Sequence, residues 1–159
     1  MANNYFKFKQ FIIFQSKAAM KVGTDGVLLG AWTSVPKHGS ILDVGTGTGL
    51  IAIMMAQRSK CDITAIDIDV GAYNQAAENI GKCKWHKRIS VCNHDFLQFE
   101  SHEKFDLIVC NPPFFKNSVK PEDSSRKMAR HNEQLAIPDF LKKAKGMLNQ
   151  WGCISLVLP

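Results

Sequence analysis

Ile41-Leu42-Asp43-Val44-Gly45-Thr46-Gly47-Thr48-Gly49-Leu50 reads as a short apolar strand, a turn with three alternating glycines and the opening of an apolar helix. Glycines so spaced let the backbone approach a ligand closely at a helix N-terminus. The spacing departs from the dinucleotide fingerprint G-x-G-x-x-G/A because position 50 is Leu, and no Gly-Lys-Ser/Thr follows for a phosphate loop. NAD and ATP therefore fit poorly. Asp43, two residues before the first glycine, would repel a pyrophosphate but suits a cationic amino-acid tail.

Three more apolar runs follow, each ending in a polar feature. Residues 63–66 lead to Asp67-Ile68-Asp69, residues 89–92 to Asn93-His94-Asp95-Phe96, and residues 105–110 to Asn111-Pro112-Pro113-Phe114. Buried parallel strands read this way, and ligands of open α/β sheets bind at their carboxyl ends. An acid at the tip of the second strand suits two ribose hydroxyls, and Asp67 is the choice over Asp69. Asp95 is placed to accept from an adenine amine, with Phe96 supplying a backbone N–H or an apolar wall. Two prolines after Asn111 remove two donors and stiffen the loop. The Asn111 side-chain oxygen and the Pro112 carbonyl could then accept from a planar amino group while Phe114 stacks on its ring. Such acceptors make a delocalised exocyclic nitrogen more tetrahedral and more nucleophilic. Taken alone, Asn-Pro-Pro is also a rigid turn; its place after a strand, fourth in an ordered set, is what points to chemistry.

The glycine loop, Asp67, Asp95 and Asn111-Pro112-Pro113-Phe114 resemble the class I S-adenosylmethionine-dependent methyltransferases that act on exocyclic amines or amides. The stretches Phe8-Lys9-Gln10-Phe11 and Ala19-Met20-Lys21-Val22-Gly23-Thr24-Asp25-Gly26 narrow the resemblance. They are similar to the bacterial enzymes that methylate N6 of the adenine 3′ of the anticodon in a valine tRNA. The resemblance implies a Rossmann-like α/β fold, a mostly parallel sheet with helices on both faces, and S-adenosyl-L-methionine as cofactor, leaving S-adenosyl-L-homocysteine. No metal is implied. It also implies that Lys21, Thr24 and Asp25 join Asp43, Gly45, Gly47, Gly49, Asp67, Asp95, Phe96 and Asn111 around the cofactor. Asp25 is equally read as the cap of a helix from Val27 to Trp32. Phe114 departs from the Tyr common in relatives, which keeps stacking and loses a phenolic hydrogen bond. Enzymes that methylate a release-factor glutamine amide, and ribosomal-RNA or DNA adenine methyltransferases, share these site residues. An inactive cofactor-binding fragment is a further alternative.

At 159 residues the chain makes one domain, read as an appendage over residues 1–32 and a core over 33–159. The family's sheet resembles seven strands, of which this chain supplies five. A helix opening at Ile137-Pro138-Asp139 and closed by Gly152 leads into the fifth strand at Cys153, where the chain looks truncated. That strand's open edge is expected to promote self-association.

Five cysteines form no C-x-x-C pair and leave an odd one, so they support neither a zinc site nor a disulfide framework. No apolar run approaches the roughly 18 residues of a membrane span, and a cytoplasmic enzyme is expected. Net charge is +6, with Lys7, Lys9, Lys17 and Lys21 preceding any acid. Lys7 and Lys9, together with Phe115, Lys116, Arg126, Lys127 and Arg130 after the tetrapeptide, are expected to flank the substrate side and grip a tRNA backbone. Residues 116–133 lack periodicity and read as a loop that orders on substrate, whereas Lys82, Lys84, Lys87 and Arg88 are assigned to the far end of the sheet.

Overall fold

A computed structural model describes residues 3–112 and 136–158. Strands β1 (Tyr5–Lys7) and β2 (Ile12–Phe14) form an antiparallel hairpin. Helix α1 (Thr24–Trp32) follows, then β3 (Ser40–Val44), α2 (Leu50–Arg58), β4 (Asp62–Asp67) and α3 (Val70–Gly81). After a single 3-10 turn come β5 (Ile89–Asn93), β6 (Phe105–Cys110), α4 (Ile137–Met147) and β7 (Leu148–Leu156). The five later strands make one parallel sheet in the order β5-β4-β3-β6-β7. Because consecutive strands step outward on opposite sides of β3, the order reverses between β3 and β6, and a crevice opens there at the carboxyl edge.

Side-chain alternation sorts the core into two layers. Ile41, Ile63, Ala65, Leu107 and Val109 face α2, part of α3 and the buried Leu29 of α1. Leu42, Val44, Ile66, Ile108 and Cys110 face Phe140, Ala144 and Met147 of α4. Strands covered on both faces read as unbroken apolar runs, as these do.

Residues 1–32 are bound into this core more closely than the word appendage suggests. Phe11 and Ile13 of the hairpin join the first layer. Gly30 of α1 lies so near Met54 that an added Cβ would come within 2.5 Å of its sulfur, and Arg58 Nη1 donates to the Gly30 carbonyl at 2.8 Å. The helix also starts earlier than Val27. Gly23, extended, is its N-cap, and no side chain caps it. Asp25 is therefore not the cap: it sits exposed in the first turn, where its charge complements the N-terminal dipole.

The other departure is at the C-terminal end of α4, which stops at Met147 rather than continuing to Gly152. Leu148 is already extended and pairs with Phe105, and the next paired residue, Cys153, lies opposite Leu107. Residues 149–152 bulge between these two points. Asp106 holds the bulge by accepting from Asn149 Nδ2 at 2.7 Å with one oxygen, and from Ser40 N at 2.9 Å with the other. Gly152 allows the bulge to press on β6, since a Cβ there would meet the Phe105 carbonyl at 2.7 Å. Sheet pairing has overridden helical periodicity.

Candidate active site

Parallel pairing brings four strand ends to one edge: Val44 is opposite Ile66 and Cys110, and Asp67 is opposite Asn93. The glycine loop, Asp67, the Asn93–Phe96 turn and Asn111 consequently lie along one carboxyl edge of the sheet. Gly45 and Gly47 have φ of +68° and +56°, and a Cβ on either would meet nothing within 4 Å. Their backbone thus bounds open space that a ligand can fill, in a conformation that disfavours side chains.

Three residues of this loop are each held by a different side chain. Asp43 Oδ2 accepts from Thr46 Oγ1 at 2.6 Å and from Ala52 N at 3.1 Å. Asp67 Oδ2 accepts from Gly47 N at 2.8 Å, while its Oδ1 accepts from Asp69 N at 3.0 Å. Asn79 Nδ2 donates to the Thr48 carbonyl at 2.8 Å. Gly45 and Thr46 add two backbone bonds to the Ile66 carbonyl at 2.9 and 3.0 Å. The loop is set before any ligand arrives.

Asp43 is not the open carboxylate expected from its place in the chain. It is wholly buried beneath the loop, so it acts on a ligand only through the loop it holds. Burial pushes its carboxyl up to about 7, against the opposing pull of its bonds from Thr46 and Ala52. Its Oδ1 has no hydrogen-bond partner among the described residues, and this unmet acceptor adds to the cost of ionising the buried carboxyl. Asp67, at the strand tip, is also raised above its ordinary value by burial, in part offset by the Gly47 and Asp69 N–H bonds. Asp69 is the N-cap of α3 through a bond from Ala72 N at 2.7 Å, which accounts for one of its oxygens structurally.

The third strand end is mixed. Asp95 is half-buried, its Oδ1 accepting from Leu97 N at 2.9 Å. Phe96 does not wall the crevice with its ring: the side chain is buried against Phe140, centroids 5.1 Å apart. Asn93, which sequence reading passed over, donates from Nδ2 to the Asp67 and Ile68 carbonyls at 2.9 and 3.0 Å and so fixes the acid's strand end.

Asn111 follows β6 and is half-buried, as is Pro112. A Cβ added to Gly26 would lie 3.6 Å from Asn111 Nδ2 and 3.5 Å from Leu50, so the first turn of α1 abuts both Asn111 and the start of α2. Thr24 and Asp25 belong to that turn, and Lys21 precedes it; all three are exposed. Pro113, Phe114, Phe115, Lys116, Arg126, Lys127 and Arg130 lie outside the described residues. Cys110, immediately before Asn111, is buried, and burial beside Asp43 and Asp67 pushes its thiol far up, which keeps it from being a nucleophile.

The hairpin that carries the N-terminal cations packs beside α3 and the turn that follows it. Phe11, at the hairpin turn, packs edge-on against Trp85, and Phe8 stacks on Phe11 at 4.6 Å. Lys7 and Lys9 flank Phe8 and are exposed, and Lys82, just after α3, places its Nζ 4.4 Å from the Phe14 ring centre of the same hairpin. Lys17 is paired with Glu78 at 2.9 Å. Arg88 is structural, donating to the Cys61 and Ala56 carbonyls at 2.7 and 2.8 Å. Among the described residues no helix is long and apolar enough to cross a membrane.

A parallel sheet whose strand order reverses between β3 and β6, with a glycine loop and an Asn-Pro at that point, defines the Rossmann-like α/β class. The family model described as methyltransferase small domain matches residues 13–158, and the chain belongs to that family. It is 51% identical to a Bacteroides thetaiotaomicron protein named tRNA1(Val) (adenine(37)-N6)-methyltransferase, over all of this chain and 68% of that one. A Trichodesmium erythraeum protein of the same name is 46% identical, over all of this chain and 69% of its own length. Among solved structures, a methyltransferase from Thiobacillus denitrificans in complex with S-adenosyl-L-homocysteine superposes with a TM-score of 0.61 at 17% identity, over 89% of this chain and 49% of that one. Coclaurine N-methyltransferase gives 0.62 at 20% identity, over 83% and 33%.

Proposed function

We propose that this chain carries the catalytic core of an S-adenosyl-L-methionine-dependent methyltransferase acting on N6 of an adenine in tRNA, the adenine 3′ of the anticodon of a valine tRNA. The observation that supports the reading is that the open glycine cradle, Asp67 and Asn111 lie at one edge of the sheet, with Gly26 of α1 next to Asn111. The names of the relatives supply the substrate, adenine 37 of tRNA1(Val).

The residues fit the cofactor. Gly45 and Gly47 leave room for its amino-acid portion, and Asp43 holds the loop from below through Thr46 and Ala52. Asp67, already an acceptor for two N–H groups, keeps lone pairs for the ribose hydroxyls. Asp95 is assigned to the adenine amine, and Lys21, Thr24 and Asp25, around the start of α1, to the side of the cofactor nearest Asn111. When bound, the cofactor supplies an electrophilic methyl group on a cationic sulfur.

The chain's own contribution to the chemistry is at Asn111 and Pro112. The Asn111 Oδ1 and Pro112 carbonyl accept the two N–H bonds of the adenine amine, draw its lone pair out of conjugation and orient it toward the crevice. As positive charge develops on nitrogen, both acceptors strengthen their bonds, and they hold the proton until it passes to water. Rate comes from orientation and preset polar groups rather than from a strong base. Asn111→Ala tests this by single-turnover methylation, with S-adenosyl-L-homocysteine affinity measured alongside. Turnover should fall by roughly two to three orders of magnitude, by analogy with loss of one preorganised polar partner, while affinity stays near wild type. A normal single-turnover rate would place activation elsewhere.

A further inference from the structure

On the buried face of α3 lie Ala72, Gln75, Ala76, Asn79 and Ile80, and two of these five are amides in the interior. A buried amide must find partners, and those partners are far away in sequence. Gln75 Oε1 accepts from Lys17 N at 3.0 Å. Asn79 Oδ1 accepts from Phe14 N at 2.9 Å, and its Nδ2 donates to the Phe14 carbonyl at 2.8 Å. The second Nδ2 proton goes to Thr48 in the glycine loop. Asn79 thus copies a backbone pairing partner for β2 with one side of its amide and holds the cofactor loop with the other. Both donors are spent, and the residue is only 1% exposed. Around it α3 touches the loop directly: a Cβ on Gly49 would be 3.4 Å from Ala76 and 3.2 Å from Ile80.

We infer that Asn79 is a positioning residue that couples the N-terminal hairpin to the glycine loop, so that the state of the loop is felt in β1 and β2. The hairpin carries the exposed Lys7 and Lys9, and rigidity in the loop and in the hairpin are gained together. The physical basis is geometric. One planar amide cannot rotate to keep Thr48 without breaking its pair with Phe14, because both Nδ2 protons and Oδ1 lie in one plane. Asp43 and Asp67 hold the same loop but make no bond to the hairpin.

This inference rests on the cofactor half of the proposed function, and its test uses S-adenosyl-L-homocysteine as the probe, without activity. Amide hydrogen exchange is followed at Phe8 and Gln15, whose N–H groups bond to Phe11 and Asn4 within the hairpin and not to Asn79. In the wild type, ligand at ten times its Kd should slow both amides, to a limit on the order of tenfold if they open only with the loop. In Asn79→Leu, with ligand raised to the same multiple of its own Kd, the response at both should vanish. Asn79→Ser is the second variant, keeping a small polar group if Leu does not fold. Exchange at the hairpin that is indifferent to ligand in the wild type, or equally responsive in the variants, overturns the coupling. Calorimetry on the same samples separates this from failure of the site: no binding of the probe at all would sink the cofactor assignment and the coupling with it.

Discussion

Removing the Asp67 carboxylate tests two roles that the structure assigns to one side chain. It holds Gly47 N at 2.8 Å and Asp69 N at 3.0 Å, and in the proposed complex it also accepts from ribose hydroxyls. A hydrogen bond to a charged group contributes about 1.5–3 kcal/mol, so losing the ribose contact in Asp67→Ala should weaken S-adenosyl-L-methionine and S-adenosyl-L-homocysteine alike by about 10- to 150-fold. Loosening Gly47 adds to the loss. Because Asp67 is nearly buried, the two N–H groups left without it also cost stability, so a thermal melt must show that the variant is folded at the titration temperature. Calorimetry with both ligands is the assay. A folded variant with unchanged affinity for both would show that Asp67 serves only as a bracket for the loop. A selective loss for one ligand would equally contradict a ribose contact, since the ribose is common to both.

Stability should depend on pH through Asp43. Its folded-state carboxyl, raised to about 7, binds its proton when the unfolded chain has already lost it near 3.8. Between those values the native state holds more protons, so unfolding free energy should fall as pH rises, by at most about 4 kcal/mol. Asp67 is shifted in the same direction and adds to the slope. Denaturant titrations at pH 4.5 and 8 check it: the Asp43→Asn variant should show a distinctly flatter profile, and an identical slope would refute the assignment. At the other end of the sheet, β7 has no second neighbour among the described residues. Light scattering over a concentration series should therefore show self-association through that edge, and a monomer at every concentration would count against it.

Much of this was legible in the chain because strand ends and turns are local. The glycine triplet, the acid closing β4 and the Asn-Pro closing β6 each lie within a few residues of the apolar run that places them, and parallel pairing does the rest. Asp69 has a local structural task, capping α3 through Ala72 N, whereas Asp67 closes the strand itself. What escaped were contacts made across the chain. Asp43 looked like a free carboxylate because nothing in its neighbourhood announces that the loop folds back over it. Asn79 reaches a residue 65 positions away, yet a signal was present: amides at positions 75 and 79 share a helical face with Ala72, Ala76 and Ile80. Polar residues on an apolar face ask for partners. The end of α4 was misplaced because its apolar spacing continues past Met147, while pairing with Phe105 and the Asp106–Asn149 bond decide where the strand begins. The positions of Lys7 and Lys9 depended on aromatic packing against Trp85, which charge counting does not reveal.

The central claim is the transfer of a methyl group to an adenine amine of tRNA. It is tested most directly by incubating the chain with methyl-labelled S-adenosyl-L-methionine and, side by side, a valine tRNA transcript, ribosomal RNA, duplex DNA and a release factor. Nucleoside analysis of the labelled product should find N6-methyladenosine in the valine tRNA at the position 3′ of the anticodon, with incorporation that falls steeply as salt rises. Label appearing in the release factor, or in none of the four while S-adenosyl-L-homocysteine binds normally, would contradict the account.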